Sequence, residues 1–157
     1  VFHGGMDATG GLMLKQAREL GLKAHFAFGD GACTDEMAQL AGPAGEDLAC
    51  SQAGLPASAA SREFLDAFNR KYGPTKLYAP FFYDATNVVI DAMRRADSVD
   101  PARFTAEIYN VTLDGATGKL AFDAKGDRRD AEMTIFRMRG GKIVPVGIYR
   151  NGEFKAM

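Results

Sequence analysis

Asp7 stands in the stretch "GGMDATGG", the only ionisable side chain between His3 and Lys15. The stretch separates a short extended start from a run with helical spacing, so it reads as a strand-to-helix turn. Glycine-rich turns of that kind often cradle phosphate at a helix N-terminus. This one lacks the features of a phosphate loop: no Lys-Ser/Thr pair follows its glycines, and their spacing is not G-x-G-x-x-G. A lone carboxylate would also oppose the phosphate that the helix dipole invites. At the carboxyl end of a parallel strand, an ionised carboxylate instead suits a ligand ammonium, held by a charge-assisted hydrogen bond. The flanking glycines let a ligand approach the backbone closely. The competing structural reading is that Asp7 or Thr9 only caps the helix. Asp30, in "GDG" at the next strand end, is a second acidic candidate.

Covalent chemistry finds no comparable set. The two histidines are His3 and His25, and His25 falls in an alternating strand, where a structural role is expected. There is no G-x-S-x-G elbow, no H-E-x-x-H, and no H-x-E with a downstream cysteine pair. "DAKGDRRD" (123–130) reads as a solvated polar turn, with calcium binding the weaker alternative. The expectation is a protein that is not an enzyme and has no cofactor and no metal. Cys33 and Cys50 fit neither a C-x-x-C redox pair nor a zinc quartet. Their spacing leaves open two buried thiols or a disulfide. A disulfide would stabilise by about 3 kcal/mol on the chain-entropy model and would imply an oxidising compartment.

The elements that position these residues follow from period and punctuation. Val1–His3 is extended. Leu12–Leu20 has helical spacing, and Gly21 sits where a C′ glycine belongs. Ala24–Phe28 is a strand broken by Gly29–Gly31. Thr34 or Asp35 caps a helix through Ala41, which Gly42-Pro43 stops. "EDLACSQ" is a further strand. Residues 1–52 therefore alternate β-α-β-α-β, the signal of a parallel sheet with helical crossovers. "AGLPASAAS" is a candidate hinge or linker. A helix bearing Phe64, Leu65, Phe68 and Tyr72 on one side ends at Gly73-Pro74. Pro80 suits the N1 position of a longer helix through about Ala96, and Asp100-Pro101 starts a third through about Ile108. The remainder reads as β structure, with Arg139-Gly-Gly-Lys142 as a hairpin turn.

A chain of 157 residues holds one compact domain or parts of two. Its 46% hydrophobic and 25% charged content is ordinary for a soluble globular protein. A net charge of −1 offers no electrostatic case for nucleic acid or an anionic membrane. No run approaches the ~18 apolar residues of a membrane span. Val1 begins inside an apparent strand, without a basic or apolar leader, so the N-terminus reads as one made by processing, design or proteolysis.

In the order and spacing of its segments the chain resembles the C-terminal part of the periplasmic leucine/isoleucine/valine-binding proteins of ABC transporters, within the type I periplasmic binding protein superfamily. The residues that carry the resemblance are "GGMDATGGLMLKQARELGLKA", "GDGACTDEMAQLAG", "YAPFFYDATNVVIDAM" and "GKLAFDAKGD" with the hairpin after it. Together they cover essentially all of residues 1–150. The resemblance implies an α/β fold made of parts of two Rossmann-like lobes with a C-terminal β hairpin. Residues 1–54 would be a second-lobe βαβαβ segment, 55–112 a helical segment of the first lobe, and 113–157 the crossover and hairpin. The first half or more of the family's chain, with the first-lobe loops that hold the ligand's carboxylate, is absent.

The implied function is the periplasmic, solute-binding component of an ABC transporter, exported on a signal peptide outside this chain. It captures a branched-chain or related amino acid between two lobes and delivers it to a membrane permease. The choice among leucine, isoleucine, valine, other amino acids and small amides stays open. The family's ammonium-binding glutamate aligns with Thr9, so its role passes to Asp7, two residues earlier, with Asp30 as second candidate. Phe81 falls in the region that supplies an apolar wall for the ligand, core packing being the alternative. Related proteins carry a cysteine pair at matching places, which implies a Cys33–Cys50 disulfide. A ligand-sensing receptor or regulator of the same fold is the alternative function, and a flavodoxin-like enzyme a third. Exposed edges of a partial sheet imply weak amino-acid binding by the chain alone, and pairing or swapping with a second copy.

Overall fold

The computed structural model describes all 157 residues. Strand β1 (Phe2–His3) leads into helix α1 (Asp7–Glu19), then β2 (Ala27–Phe28), a single 3-10 turn at Asp30–Ala32, and α2 (Asp35–Ala41). After a second such turn at Gly42–Gly45 comes β3 (Ala49–Ala53). Helices α3 (Arg62–Tyr72), α4 (Ala79–Ala96) and α5 (Pro101–Ile108) follow, and then a small hairpin of β4 (Thr112–Gly115) and β5 (Gly118–Ala121). The chain closes with β6 (Glu132–Arg139), β7 (Lys142–Arg150) and β8 (Glu153–Ala156).

Two compact units result, one of residues 1–54 with 132–157, the other of residues 55–131. The first holds a six-stranded sheet in the order β1-β2-β3-β6-β7-β8. β1, β2 and β3 are parallel, with Phe28 beside Cys50. β6 runs antiparallel to β3, with Phe136 opposite Cys50, and β7 and β8 continue as a meander. Leu14 of α1, Met37 and Ala38 of α2, Phe28 and Met138 fill its core. Thr134 of β6, fully buried, donates its hydroxyl to the carbonyl of Gly54 at 2.7 Å, so its burial leaves no polar atom unmatched.

The second unit packs α4 against α5 and the β4–β5 hairpin around Val88, Ala92, Phe104, Val111 and Leu120. Residues 113–131, expected with the C-terminal hairpin, pack instead with the helices. Beside that apolar packing, Asp84 of α4, which is 2% exposed, ties the hairpin to the helix. Its carboxylate accepts the amides of Ala116 and Thr117 at 2.7 and 2.8 Å and the Thr117 hydroxyl at 2.6 Å.

Two caps read from the sequence appear where they were expected: Thr34 and Asp100 each accept a backbone N–H at the starts of α2 and α5. Ser61 does the same for α3, a cap the linker stretch did not announce. Gly21 adopts a φ of +81° past the end of α1. Three boundaries differ. α1 begins at Asp7 rather than Leu12, so most of the glycine-rich stretch is helical. β2 is confined to Ala27–Phe28, because Arg18 occupies the carbonyls of Leu22 and Ala24 at 2.6 and 2.9 Å and β1 offers only two residues for pairing. The strand expected from Glu46 starts at Ala49, after the 3-10 turn.

Candidate functional site

The carboxyl ends of the parallel strands carry the candidate residues. β1 and β2 end side by side at His3 and Phe28, and the loop after each enters a helix. The glycines between them serve packing. A β-carbon on Gly10 would come within 2.8 Å of the Phe28 ring, and one on Gly11 within 2.6 Å of Leu40 Cβ. Gly31 of the second loop lies against Met6 of the first, where a β-carbon would meet the Met6 sulfur at 2.5 Å. The stretch that resembles a phosphate cradle is thus a close-approach surface for α1 on β2 and α2.

Asp7 is the first residue of α1 and is half-buried. Its Oδ1 accepts the Ala8 amide at 2.7 Å, and its Oδ2 accepts the Thr34 hydroxyl at 2.8 Å. Asp7 is not the residue that caps α1: that position is Met6, which gives no side-chain cap. A carboxylate at the first turn of a helix is nonetheless stabilised by the helix dipole. Thr9 is exposed and donates its hydroxyl to the Met6 carbonyl at 3.1 Å. Asp30 is exposed in the second loop, and its Oδ1 accepts the Gly31 amide at 3.0 Å. The structure therefore brings Asp7, Thr9, Asp30 and Thr34 to one edge of one unit.

Cys33 and Cys50 form a disulfide, with Cα atoms 5.5 Å apart. It ties the second loop to β3. Gln52, also on β3, donates its side-chain amide to the Cys33 carbonyl at 2.8 Å. Thr34 entered the sequence reading only as a helix cap. Its contact to Asp7 spans 27 positions, and no local pattern announces it.

Phe81 lies in the other unit, on α4. It is half-buried and lines a small cavity with Leu55, Pro56, Ala60, Pro80 and Thr117. The same unit has a groove of about 860 Å³ along α3 and α4. Tyr72, Phe68, Phe64 and Tyr83 form an aromatic ladder there, with successive ring centroids 5.1, 5.4 and 5.1 Å apart. The helical spacing of Phe64, Phe68 and Tyr72 was legible; the groove they share with Tyr83 was not.

Other residues singled out by their chemistry make local contacts. In "DAKGDRRD", Asp123 Oδ1 accepts the amides of Lys125 and Asp127 at 2.8 and 3.0 Å, closing the turn on itself. His25 is exposed, and its carbonyl accepts the N-terminal ammonium at 2.7 Å. On α4, the hydrogen bond and charge of Asp91 hold the pKa of the exposed Arg95 guanidinium above its ordinary value. No group of three His, Cys, Asp or Glu residues stands close enough to hold a metal ion. No helix is long and apolar enough to cross a membrane.

Comparison with known proteins places this arrangement. The family model described as "Periplasmic binding protein" matches residues 1–142. The leucine-, isoleucine-, valine-, threonine- and alanine-binding protein of Pseudomonas aeruginosa is 30% identical over 138 residues, covering 87% of this chain and 37% of that protein. Leu/Ile/Val-binding protein homolog 2 of Brucella abortus is 30% identical over 144 residues, covering 90% and 39%. Among solved structures, a leucine-binding protein from Thermotoga maritima superposes with a TM-score of 0.81 at 27% identity, over 96% of this chain and 44% of that one. The chain thus spans well under half the length of these relatives. With a match across nine-tenths of its residues and an α/β architecture shared with solved members, the chain belongs to the periplasmic binding protein family.

Proposed function

We propose that this chain is part of the periplasmic solute-binding component of an ABC transporter, and that its ligand is a branched-chain or related amino acid passed on to a membrane permease. The unit of residues 1–54 and 132–157 acts as the second lobe, and residues 55–131 contribute to the first. Asp7 takes the ligand's ammonium. Asp30 is the adjacent acid, Thr9 lends a hydroxyl at the same edge, and Phe81 belongs to the apolar side of the ligand site. No covalent step is required, since affinity comes from pairing a zwitterion's charges away from water and from closure of the lobes on the ligand.

The observation that carries the reading is the half-buried Asp7 carboxylate at the carboxyl edge of parallel strands, in a chain whose relatives are named for the amino acids they bind. An ionised carboxylate with a lone pair still free on each oxygen is a good acceptor for an ammonium group. By the resemblance, the family's glutamate aligns with Thr9, so Asp7 is the residue to test. The experiment is calorimetric titration of the longer protein bearing this segment with L-leucine, L-isoleucine and L-valine, then of its Asp7→Asn variant. Loss of one charge-assisted hydrogen bond, worth about 1.5–3 kcal/mol, lowers affinity roughly tenfold to a hundredfold. Unchanged affinity for whichever amino acid binds would leave Asp7 a structural residue and refute the assignment.

A further inference from the structure

The Thr34 hydroxyl has one proton to give and accepts at the same time. The Met37 amide, 3.0 Å away, can only donate to it. The proton therefore goes to Asp7 Oδ2, at 2.8 Å. This fixes the direction of a chain of hydrogen bonds from the first turn of α2, through Thr34, to the first residue of α1.

Thr34 itself has little freedom. Its neighbour Cys33 is covalently joined to Cys50 of β3, and the Cys33 carbonyl takes the Gln52 side chain at 2.8 Å. Three residues on, Met37 is fully buried in the core. The hydroxyl is thus anchored to β3 on one side and to the core on the other. Asp7 lacks such anchorage. Its other hydrogen bond is to the Ala8 amide, from the next residue of its own chain, and the loop before it contains two glycines.

We infer that Thr34 is a positioning residue: it holds the Asp7 carboxylate in one rotamer at the strand edge, relaying the rigidity of the disulfide-bonded β3 to a side chain that would otherwise swing about χ1. This rests on the reading of Asp7 as the ammonium acceptor, and it adds the residue that pre-organises it. A cap at α2 alone would protect the Met37 amide and leave Asp7 indifferent to position 34.

The test reads the Asp7 side chain directly. Three-bond couplings to its carboxyl carbon report its χ1 population by nuclear magnetic resonance, without ligand. In the longer protein bearing this segment, both with the wild-type sequence and as Thr34→Ser, which keeps both cap and donor, Asp7 occupies one rotamer. In Thr34→Gly, which caps nearly as well but has no hydroxyl, χ1 averages over at least two states. Thr34→Asp guards against a folding defect, since aspartate is a strong cap yet cannot donate and repels Asp7; there χ1 shifts or averages too. A single unchanged Asp7 rotamer in Thr34→Gly and Thr34→Asp overturns the inference. The outcome is separate from that of Asp7→Asn in amino-acid titration: averaging of χ1 together with unchanged affinity in Asp7→Asn would refute the ammonium reading while leaving the clasp.

Discussion

Asp84 shows how much structure one side chain can organise. Its carboxylate is removed from water and meets three donors on the β4–β5 turn. The Thr117 hydroxyl, which donates to it, also accepts from Arg128 at 2.9 Å. Arg128 reaches the carbonyls of Thr117 and Lys119 as well, at 2.8 and 3.2 Å. Gly115 is required beside it, because a β-carbon there would lie 2.5 Å from a carboxylate oxygen. Replacing Asp84 with alanine strands buried amides without acceptors. Asp84→Ala should therefore destabilise by about 3 kcal/mol, an unsatisfied group costing roughly 1–3, read as a lowered urea midpoint. Asp84→Asn should cost about half as much, since its carbonyl still accepts while its amide faces donors. Equal midpoints for wild type and Asp84→Ala would mean the turn is held by other contacts.

At the scale of elements, α1 seats itself through what its residues lack. Glycine inside a helix is ordinarily a liability of about 1 kcal/mol against alanine. Here Gly10 and Gly11 sit in a helix of 13 residues and let it approach Phe28 and Leu40. Gly10→Ala and Gly11→Ala should each lower stability by about 1–3 kcal/mol, the range for overpacking, whereas propensity alone predicts a gain. Circular dichroism melts of the two variants decide the sign. The disulfide works on the neighbouring loop. Cys33 and Cys50 are 17 positions apart, and opening that loop in a Cys33→Ala/Cys50→Ala variant should cost about 3 kcal/mol. A denaturation midpoint indifferent to reductant would contradict this.

For the molecule as a whole, two units with separate cores share one chain that crosses between them after Gly54 and after Ala131. The acid proposed for the ammonium lies in one unit, and the chain spans 37–44% of the relatives compared here. By the resemblance, the loops that hold a ligand's carboxylate lie in the part not spanned. A zwitterion bound by one end forfeits the charge-assisted bonds at the other. The 157-residue chain alone should bind whichever amino acid the longer protein takes at least about 100-fold more weakly than that protein does, given roughly 1.5–3 kcal/mol for each such bond. Titration calorimetry on both would show it, and an affinity of the chain alone within about tenfold of that of the longer protein would contradict it.

Much of this fold could be read residue by residue. Thr34, Asp100, Gly21 and the Gly-Gly of the hairpin act through neighbours two to four positions away, so spacing alone located those helix starts, the stop and the turn. Alternation of strand and helix announced the parallel segment, because a crossover needs about a helix's length of chain. Pairings over long separations were beyond such a reading. The contact of Thr34 with Asp7, the hold of Asp84 on residues 116 and 117, and the fit of Gly10 against Phe28 join residues that no local period relates. Local hydrogen bonding and the hydrophobic period are properties of a short segment and survive in the sequence. Which side chains meet across segments is decided only when the cores close, and that is where the orientation of Asp7 was set.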